Sequence, residues 1–337
     1  MTGAILTLNG GSSSVKFGVY SAAGVRAITI GEIERADADT ALFDRIGAVA
    51  PAAIGHRIVH GGPDLFAPVA IDARVLARIE RASVFAPLHG PAALRLIALA
   101  QHRYPGVPQV ACFDTGFHAE MPDIAATLPI PSKLRAQGVR RYGFHGLSCE
   151  SIVAQLGDGV PDRLVIAHLG NGASVTAVRG GRSVDTSMGL TPSGGLVMGT
   201  RAGDVDPGLL LYLMREHGMG ADAIEQLIDR EAGLLGLSGV SADLRKLHAA
   251  RATGDAVVAL AIRIFCRSVA KHIAGMLVAL GGADLIVFTG GIGEHDAAVR
   301  DAIRDDLAWA GTIPVRVLPS QENAQIARHC ARLLFAG

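Results

Sequence analysis

With 337 residues, half of them hydrophobic, the chain is long enough for two domains, because single cores seldom grow past ~250–300 residues. Lys+Arg and Asp+Glu balance at 31 each, with no block of like charge, which argues against a nucleic-acid or anionic-membrane surface. The four cysteines, Cys112, Cys149, Cys266 and Cys330, are scattered without a CxxC pair, so neither zinc nor a disulfide framework is expected and a reduced, cytoplasmic compartment fits.

In chain order, residues 1–20 lack the basic region and apolar core of a signal peptide. Residues 4–20, AILTLNGGSSSVKFGVY, read as strand, polar turn and strand. Gly10 to Ser14 offer backbone donors and hydroxyls, and Lys16 offers a point charge for phosphate. An ordinary β-turn reads equally well from this stretch alone, and GxxxxGK[ST] occurs nowhere. Residues 21–52 read as strand, acidic connector and short helix. Residues 53–62 read as a strand ending in a Gly-Gly turn, which brings Arg57 to the strand end, where a guanidinium can clamp a carboxylate or phosphate. His56 and His60 are four apart, a metal spacing only on a helix, so a structural role is expected for both.

Helical periodicity covers 72–85 and 91–103, and Val110–Phe113 is a buried strand that delivers Asp114 at its C-terminal end. Ligands of open α/β sheets bind at that end, although an Asx turn is the competing reading. In RRYGFHGLSCESI (140–152), the Gly-aromatic-His-Gly run holds His145 in a close-approach turn, with Ser148 expected to cap the following helix. The richest stretch, 164–208, is strand, polar turn His168 to Ser174, strand, Gly180-Gly181 turn and third strand. A long Gly-rich segment with Arg201, Asp204 and Asp206 then follows. This repeats the grammar of residues 4–20 and predicts two similar lobes whose glycine turns face one phosphate ligand. Helices are expected at 208–217, 221–231 and after Asp243. The apolar 255–280 carries Arg263, Arg267 and Lys271 on one face, which makes it an amphipathic helix and not a membrane span. Residues 283–300 read as strand, glycine turn and a helix starting near Glu294, an arrangement that binds phosphate or nucleotide. A short strand, 315–318, and a helix, 321–335, close the chain.

Taken together, LNGGSSSVK, GHRIVHGG, APLHGP, FDTGFHAEMP, RYGFHGLS, HLGNGAS, DTSMGLTP, MGTRAGDVDP, SGVSADLR and FTGGIGE run collinearly from residue 8 to 294. A weaker match, PSQENAQIAR, follows at 319–328. This set resembles the acetate kinase family of short-chain carboxylate kinases. The resemblance implies an α/β, two-lobed sugar-kinase, heat-shock-chaperone and actin-like fold, with mixed sheets flanked by helices. It implies lobes at 1–114, with helix 321–337 packing back on the first lobe, and at 115–320, with a homodimer formed through the second lobe. It also implies reversible transfer of the ATP γ-phosphoryl group to acetate, with ATP/ADP as co-substrate and Mg²⁺ or Mn²⁺ as the metal.

By the same resemblance, Arg57 and Arg201 hold the carboxylate and the transferring phosphoryl group, Asp114 lies beside them, and His145 contacts the group in flight. Val59, Leu88, Phe144 and Pro192 line the acyl pocket. Ser12, Ser14 and Lys16 match the phosphate-side loop, and His168, Gly170, Asn171 and Gly172 match the loop around the β/γ phosphates. Asp243, Leu244 and Arg245, with Gly291, Ile292 and Glu294, match the adenosine pocket, and Asn9 and Glu322 match the metal site. Several positions depart from the family pattern. The chain is short between the first hairpin and Arg57, Cys149 replaces a usual histidine, Ser193-Gly194 replaces a common Leu-Glu beside the acyl pocket, and Leu244 replaces a common aromatic. A propionate or other short-acyl kinase is the near alternative, and a catalytically dead actin-like nucleotide-binding module is the alternative of another class.

Overall fold

Two sheets of matching connectivity organise the chain. The computed structural model describes residues 3–11, 14–22, 25–34, 38–87 and 89–335. In the first sheet, β1 (Ala4–Gly10), β2 (Ser14–Ser21) and β3 (Ala27–Glu34) form an antiparallel meander. Beside β1 lies β4 (Pro51–Ile58), parallel to it, then β6 (Gln109–Phe113), parallel to β4, with β5 (Val69–Ala70) antiparallel at the far edge. The second sheet repeats the plan. The meander β7 (Arg163–Leu169), β8 (Ala173–Arg179), β9 (Arg182–Thr186) is extended from β7 by parallel β10 (Leu285–Thr289) and β11 (Val315–Val317). The strand orders are therefore β3-β2-β1-β4-β6-β5 and β11-β10-β7-β8-β9. The recurring strand-turn-strand pattern in the sequence is this shared meander.

Burial follows position in the sheet. Strands β6 (QVACF) and β10 (LIVFT) are buried along their whole length, as expected for parallel strands covered on both faces. The edge strand β3 is largely exposed. Helix Ala256–Leu280 crosses the second sheet and sets Phe265, Val269 and Ile273 into one core with Val165, Val175 and Phe288. Asp255 caps its first turn through the Val257 and Val258 amides. The basic face expected on this helix exists, and its Arg263 and Arg267 both clasp Asp306 of helix Ala297–Asp306. No described helix is long and apolar enough to cross a membrane.

Helix Glu322–Phe335 returns to the first sheet, where Ile326, Ala327 and Cys330 pack with Ile5, Ala53, Val110 and Cys112. Ile326 is fully buried, so its truncation to alanine is expected to cost about 2–5 kcal/mol. That docking places Glu322, the first residue of the helix, among the ends of the first-sheet strands.

Two local expectations are corrected. The helix after the Gly-aromatic-His-Gly run spans Gly146–Leu156 with His145 as its N-cap residue, so Ser148 lies inside it and does not cap it. The helix after β10 spans Gly290–His295, so the glycines of the expected turn are its first residues and Glu294 is internal. A second helix, Ala297–Asp306, then starts under an Asp296 cap.

Candidate functional site

Strands β4 and β6 are parallel neighbours, and the Asp114 amide donates to Ile58 O at 2.9 Å where they end. Their next chemistry-bearing side chains therefore meet. Arg57 donates from Nε (2.9 Å) and Nη2 (2.6 Å) to Asp114 Oδ2, and from Nη1 to Asn9 Oδ1 at 3.1 Å. Asn9, at the end of β1, donates from Nδ2 to Glu322 at 2.7 Å. Burial opposes the Arg57 charge, but Asp114 and Glu322 more than offset it and the guanidinium ends above its ordinary pKa. Burial pushes the Asp114 carboxyl up to about 6 against the pull of Arg57. Burial alone would also raise Glu322, yet Arg57 and the Asn9 hydrogen bond hold it below the usual range. The pair Arg57–Asp114 is thus a rigid, buried ion pair at the strand ends.

The Gly143-Phe144-His145-Gly146 run is shaped by contact and by backbone. A Cβ on Gly146 would stand 2.2 Å from Asp114 O, and one on Gly143 (φ +74°) would stand 2.5 Å from Thr186. Only glycine permits both approaches. The Gly146 amide donates to Asp114 O at 2.8 Å, which fixes the helix start beside the acid. Between the glycines, His145 takes the left-handed conformation, φ 57°, a strain that concentrates at functional sites. Its Nδ1 lies 2.9 Å from Ser174 Oγ, and its ring stacks on His168 with centroids 4.2 Å apart. Burial first, then His168 and the charges of Arg57 and Arg201, push His145 well below its ordinary pKa. It is a neutral imidazole at physiological pH.

His168 ends β7, and Gly170, Asn171 and Gly172 make the turn into β8, with the Gly170 amide donating to Gly172 O at 3.0 Å. A Cβ at Gly172 would lie 3.2 Å from His145 Nε2 and 3.3 Å from Arg201 Nη1. The turn, the imidazole and the second arginine therefore converge on one point. Arg201 Nη1 donates to Pro192 O at 3.2 Å, and among the described residues no carboxylate lies within ion-pair distance of it. Burial accordingly lowers its pKa. A buried cation without an anionic partner is costly unless a ligand supplies the anion. The two aspartates of this segment serve its folding instead. Asp204 accepts from the Gly195 amide at 2.7 Å, and Asp206 caps helix Pro207–Glu216.

Of the residues expected around a nucleotide, Gly170 and Gly291 face each other across the β7 and β10 ends, and a Cβ at Gly170 would be 4.0 Å from Gly291 N. The Gly199 amide donates to Asn171 O, and a Cβ at Gly199 would touch both Asn171 and Ala242, next to Asp243. Asp243 caps helix Leu244–Ala252 through the Arg245 amide and pairs with the exposed Arg245 side chain. Leu244 turns into the second-sheet core. Glu294 spends Oε1 on the amides of Gly290 and Ser320, and Ile292 packs half-buried against the core. Ser14 bonds Glu32 of β3, and the exposed Lys16 stands opposite Asn9 in the β1–β2 register. Val59 and Phe144 share a core cluster with Met188, Leu196 and Met198, and half-buried Pro192 accepts from Arg201 through its carbonyl. Ser12 and Leu88 lie outside the described residues.

A family model described as the Acetokinase family matches residues 47–325. A protein named acetate kinase from Nitrobacter hamburgensis is 41% identical over 391 aligned positions, covering 98% of this chain and 96% of that protein. The chain belongs to the acetokinase family. The crystal structure of a propionate kinase from Francisella tularensis is similar at a TM-score of 0.87 and 34% identity, covering 97% of this chain and 98% of that one. A ROK family glucokinase from Streptomyces griseus, at a TM-score of 0.50 and 17% identity over 99% and 100% of the two chains, shares the fold alone. The α/β fold with two mixed sheets flanked by helices is thus that of the acetokinases and the sugar kinases.

For the Mg²⁺ that the resemblance implies, the donor set is the test. No cluster of three or more His, Cys, Asp or Glu occurs among the described residues. Mg²⁺ needs only one or two carboxylates, with substrate phosphates and water completing its shell. Glu322, held below the usual carboxylate range, is bonded to Asn9, and Asp114 Oδ1 is buried with no partner, so the expected pair Asn9 and Glu322, with Asp114, fits the ion. Asn9 gives its carbonyl oxygen to Arg57 and acts on Glu322 through its amide. Sequence reading missed the serines that orient the two imidazoles. Ser174 stands in the HLGNGAS motif, but its partner is 29 residues away. Ser148 bonds His168 Nδ1 at 2.8 Å and accepts from Ser320 at 3.0 Å.

Proposed function

We propose that this chain catalyses reversible, direct in-line transfer of the ATP γ-phosphoryl group to acetate, giving acetyl phosphate and ADP. The observation that carries this reading is the convergence on one point at Gly172 of His145 Nε2 and the Arg201 guanidinium, which no carboxylate among the described residues pairs. Family membership supports it, because the Nitrobacter relative bears the name acetate kinase. Carboxylate attack needs no general base, since acetate is already ionised at neutral pH. Catalysis then reduces to positioning and charge neutralisation in a loose transition state. Arg201 meets the anion, Arg57 is aimed by Asp114, and neutral His145 is a hydrogen-bonding group, not a base. Asn9 and Glu322, with the unpartnered Asp114 Oδ1 on the same Arg57 cluster, would hold a Mg²⁺ ion, which would supply charge neutralisation for the transferring phosphoryl group.

In this reading residues 1–114 with the returning C-terminal helix form one lobe, 115–320 the other, and nucleotide lies between the Gly170–Gly172, Asp243–Arg245 and Gly291–Glu294 stretches. Homodimerisation is part of it, supported by helix Pro207–Glu216, where Leu209, Leu211, Tyr212 and Met214 are all exposed. A cytoplasmic location accords with the scattered, buried free cysteines.

The test is ATP-dependent acyl phosphate formation, trapped with hydroxylamine, with acetate, propionate and butyrate in parallel. Acetate is expected to give the highest kcat/KM. Propionate leading would transfer the reading to the substrate named for the Francisella neighbour, a difference of one methylene worth about 1–3 kcal/mol. No product with any acid, from folded protein and Mg²⁺, would leave an inactive nucleotide-binding module.

A further inference from the structure

Each of the two stacked imidazoles is tied at Nδ1 to a buried serine, His145 to Ser174 and His168 to Ser148. Ser174 is fully buried on β8, directly opposite His168 in the β7–β8 register. Among the described residues its hydroxyl has one hydrogen-bond partner, His145 Nδ1, at 2.9 Å. A neutral imidazole carries one N–H and one accepting nitrogen. If Nδ1 bore the proton, the Ser174 hydroxyl hydrogen would be buried without an acceptor, which folded proteins avoid. If Nδ1 accepts from Ser174, every group is satisfied and the ring proton sits on Nε2. The neighbouring pair follows the same logic. Ser320 donates to Ser148 at 3.0 Å, so the Ser148 hydrogen is directed at His168 Nδ1.

We propose that Ser174 is a positioning residue whose hydroxyl donates to His145 Nδ1 and thereby fixes the imidazole proton on Nε2, the nitrogen that shares the Gly172 point with Arg201. The alternative tautomer would present a lone pair to the equatorial oxygens of a transferring phosphoryl group, all of them acceptors. A donor fixed in advance costs no reorganisation during transfer. Burial and the surrounding His168, Arg57, Arg201 and His118 keep the ring from gaining a second proton, so the choice between tautomers is the one left for Ser174 to make. The kinetic consequence rests on the phosphoryl-transfer reading; the tautomer itself does not.

The experiment is a long-range ¹⁵N–¹H spectrum of the full chain labelled at histidine nitrogens, with His145 assigned by its loss in His145→Gln, recorded beside steady-state kinetics. The native chain is expected to show a pyridine-like His145 Nδ1 and a pyrrole-like Nε2. In Ser174→Ala both signals should move toward averaged values, and kcat should fall roughly 10-fold, up to the ~10²–10³ of a lost transition-state donor. KM for ATP and for the carboxylate should stay within about twofold, the signature of an interaction made in the transition state. Ser174→Thr, which keeps the hydroxyl, should retain the native signals and most of kcat. A protonated Nδ1 in the native chain overturns the proposal, as does Ser174→Ala with native signals and native kcat. Equal loss of kcat in the Ala and Thr variants with unchanged nitrogen signals also overturns it. A native chain that phosphorylates no carboxylate would sink the functional reading while the nitrogen signals still decide the role of Ser174.

Discussion

Both hydrogen bonds from Arg57 to Asp114 fall on the same carboxylate oxygen, Oδ2, at 2.9 and 2.6 Å, and Oδ1 is left buried without a partner. A side-on fork would have used both oxygens. Here the guanidinium is also shared with Asn9, so Asp114 is held by one edge and its other oxygen stays available to a ligand or ion. Arg201, by contrast, is anchored by a carbonyl and has no carboxylate within ion-pair distance among the described residues. Two arginines that play the same part in the proposed chemistry thus stand in opposite electrostatic situations.

That contrast makes the first prediction. Arg57→Ala and Arg201→Ala should each lower turnover by roughly 10²–10⁵. Only Arg57→Ala should also lower stability, by about 3–5 kcal/mol, because it strands a carboxylate whose side chain is 1% exposed. Arg201→Ala removes a buried charge that no carboxylate among the described residues pairs, and should unfold at the native urea concentration or above. Urea titrations beside turnover numbers decide it. Equal destabilisation by the two substitutions would refute the assigned difference, and near-native turnover in either would remove that arginine from the mechanism.

The second prediction concerns acid. Burial pushes His56, His60 and His118 each down to about 4, against opposing hydrogen bonds to Gln109, Leu190 O and Phe144 O. A folded pKa below the unfolded 6.5 gives stabilisation that is full above pH 6.5 and is lost as pH falls through 4. Asp114, raised to about 6, acts in the other direction, with a contribution present below about pH 4 and lost as pH rises through 6. Three histidines outweigh one carboxyl at on the order of 3 kcal/mol each, so stability should fall by several kcal/mol between pH 6.5 and 4. Replacing His60, which sits among Phe85, Tyr142 and Phe144, by phenylalanine should shallow that slope. Parallel stability curves for the native and His60→Phe chains would contradict this origin.

Much of this was legible in the sequence because it is local. The apolar runs of β6 and β10 mark buried parallel strands, and the paired Gly turns of β1–β2 and β7–β8 mark the duplicated meander. Arg57 and Asp114 could be singled out because each directly follows or ends such a strand. What was illegible depends on partners far apart in the chain. Ser148 looks like an N-cap by residue preference, but the Gly146 amide is already bound to Asp114 O, the cap falls three residues earlier at His145, and the hydroxyl meets His168 and Ser320, 172 residues away. Glu294 also takes a role that only the fold shows, its Oε1 bridging the amides of Gly290 and Ser320. Asp204 and Asp206 lie in the same Gly-rich run as Arg201, but Asp204 is held by the Gly195 amide and His272, and Asp206 caps helix Pro207–Glu216.

The third prediction tests the turn that aims His145. Gly146→Ala places a methyl 2.2 Å from Asp114 O, a backbone atom that cannot rotate away. The helix start must shift, at a cost of about 1–3 kcal/mol, and His145 must move with it. Turnover should collapse while KM for ATP changes little, since the nucleotide stretches lie elsewhere. Gly159→Ala, whose added carbon meets open space, is the control and should be silent. A Gly146→Ala chain with native turnover would mean that His145 does not depend on this contact.

The last prediction separates a glycine kept for packing from one kept for a ligand. A Cβ at Gly291 would meet nothing within 4 Å, and Gly291 sits in the first turn of helix Gly290–His295, directly after fully buried β10. Nothing in the folded chain requires glycine there. Helix propensity alone favours alanine by up to about 1 kcal/mol, so Gly291→Ala should be neutral or slightly stabilising in urea. If Gly291 borders the nucleotide, the open space belongs to ATP, and the added methyl should raise KM for ATP several-fold with acetate KM unchanged. The expected pattern is therefore native or better stability with weakened nucleotide use, readable from one melting curve and one ATP titration. Unchanged KM for ATP would remove Gly291 from the nucleotide site, and loss of stability would show that some packing contact, not a ligand, holds the glycine in place.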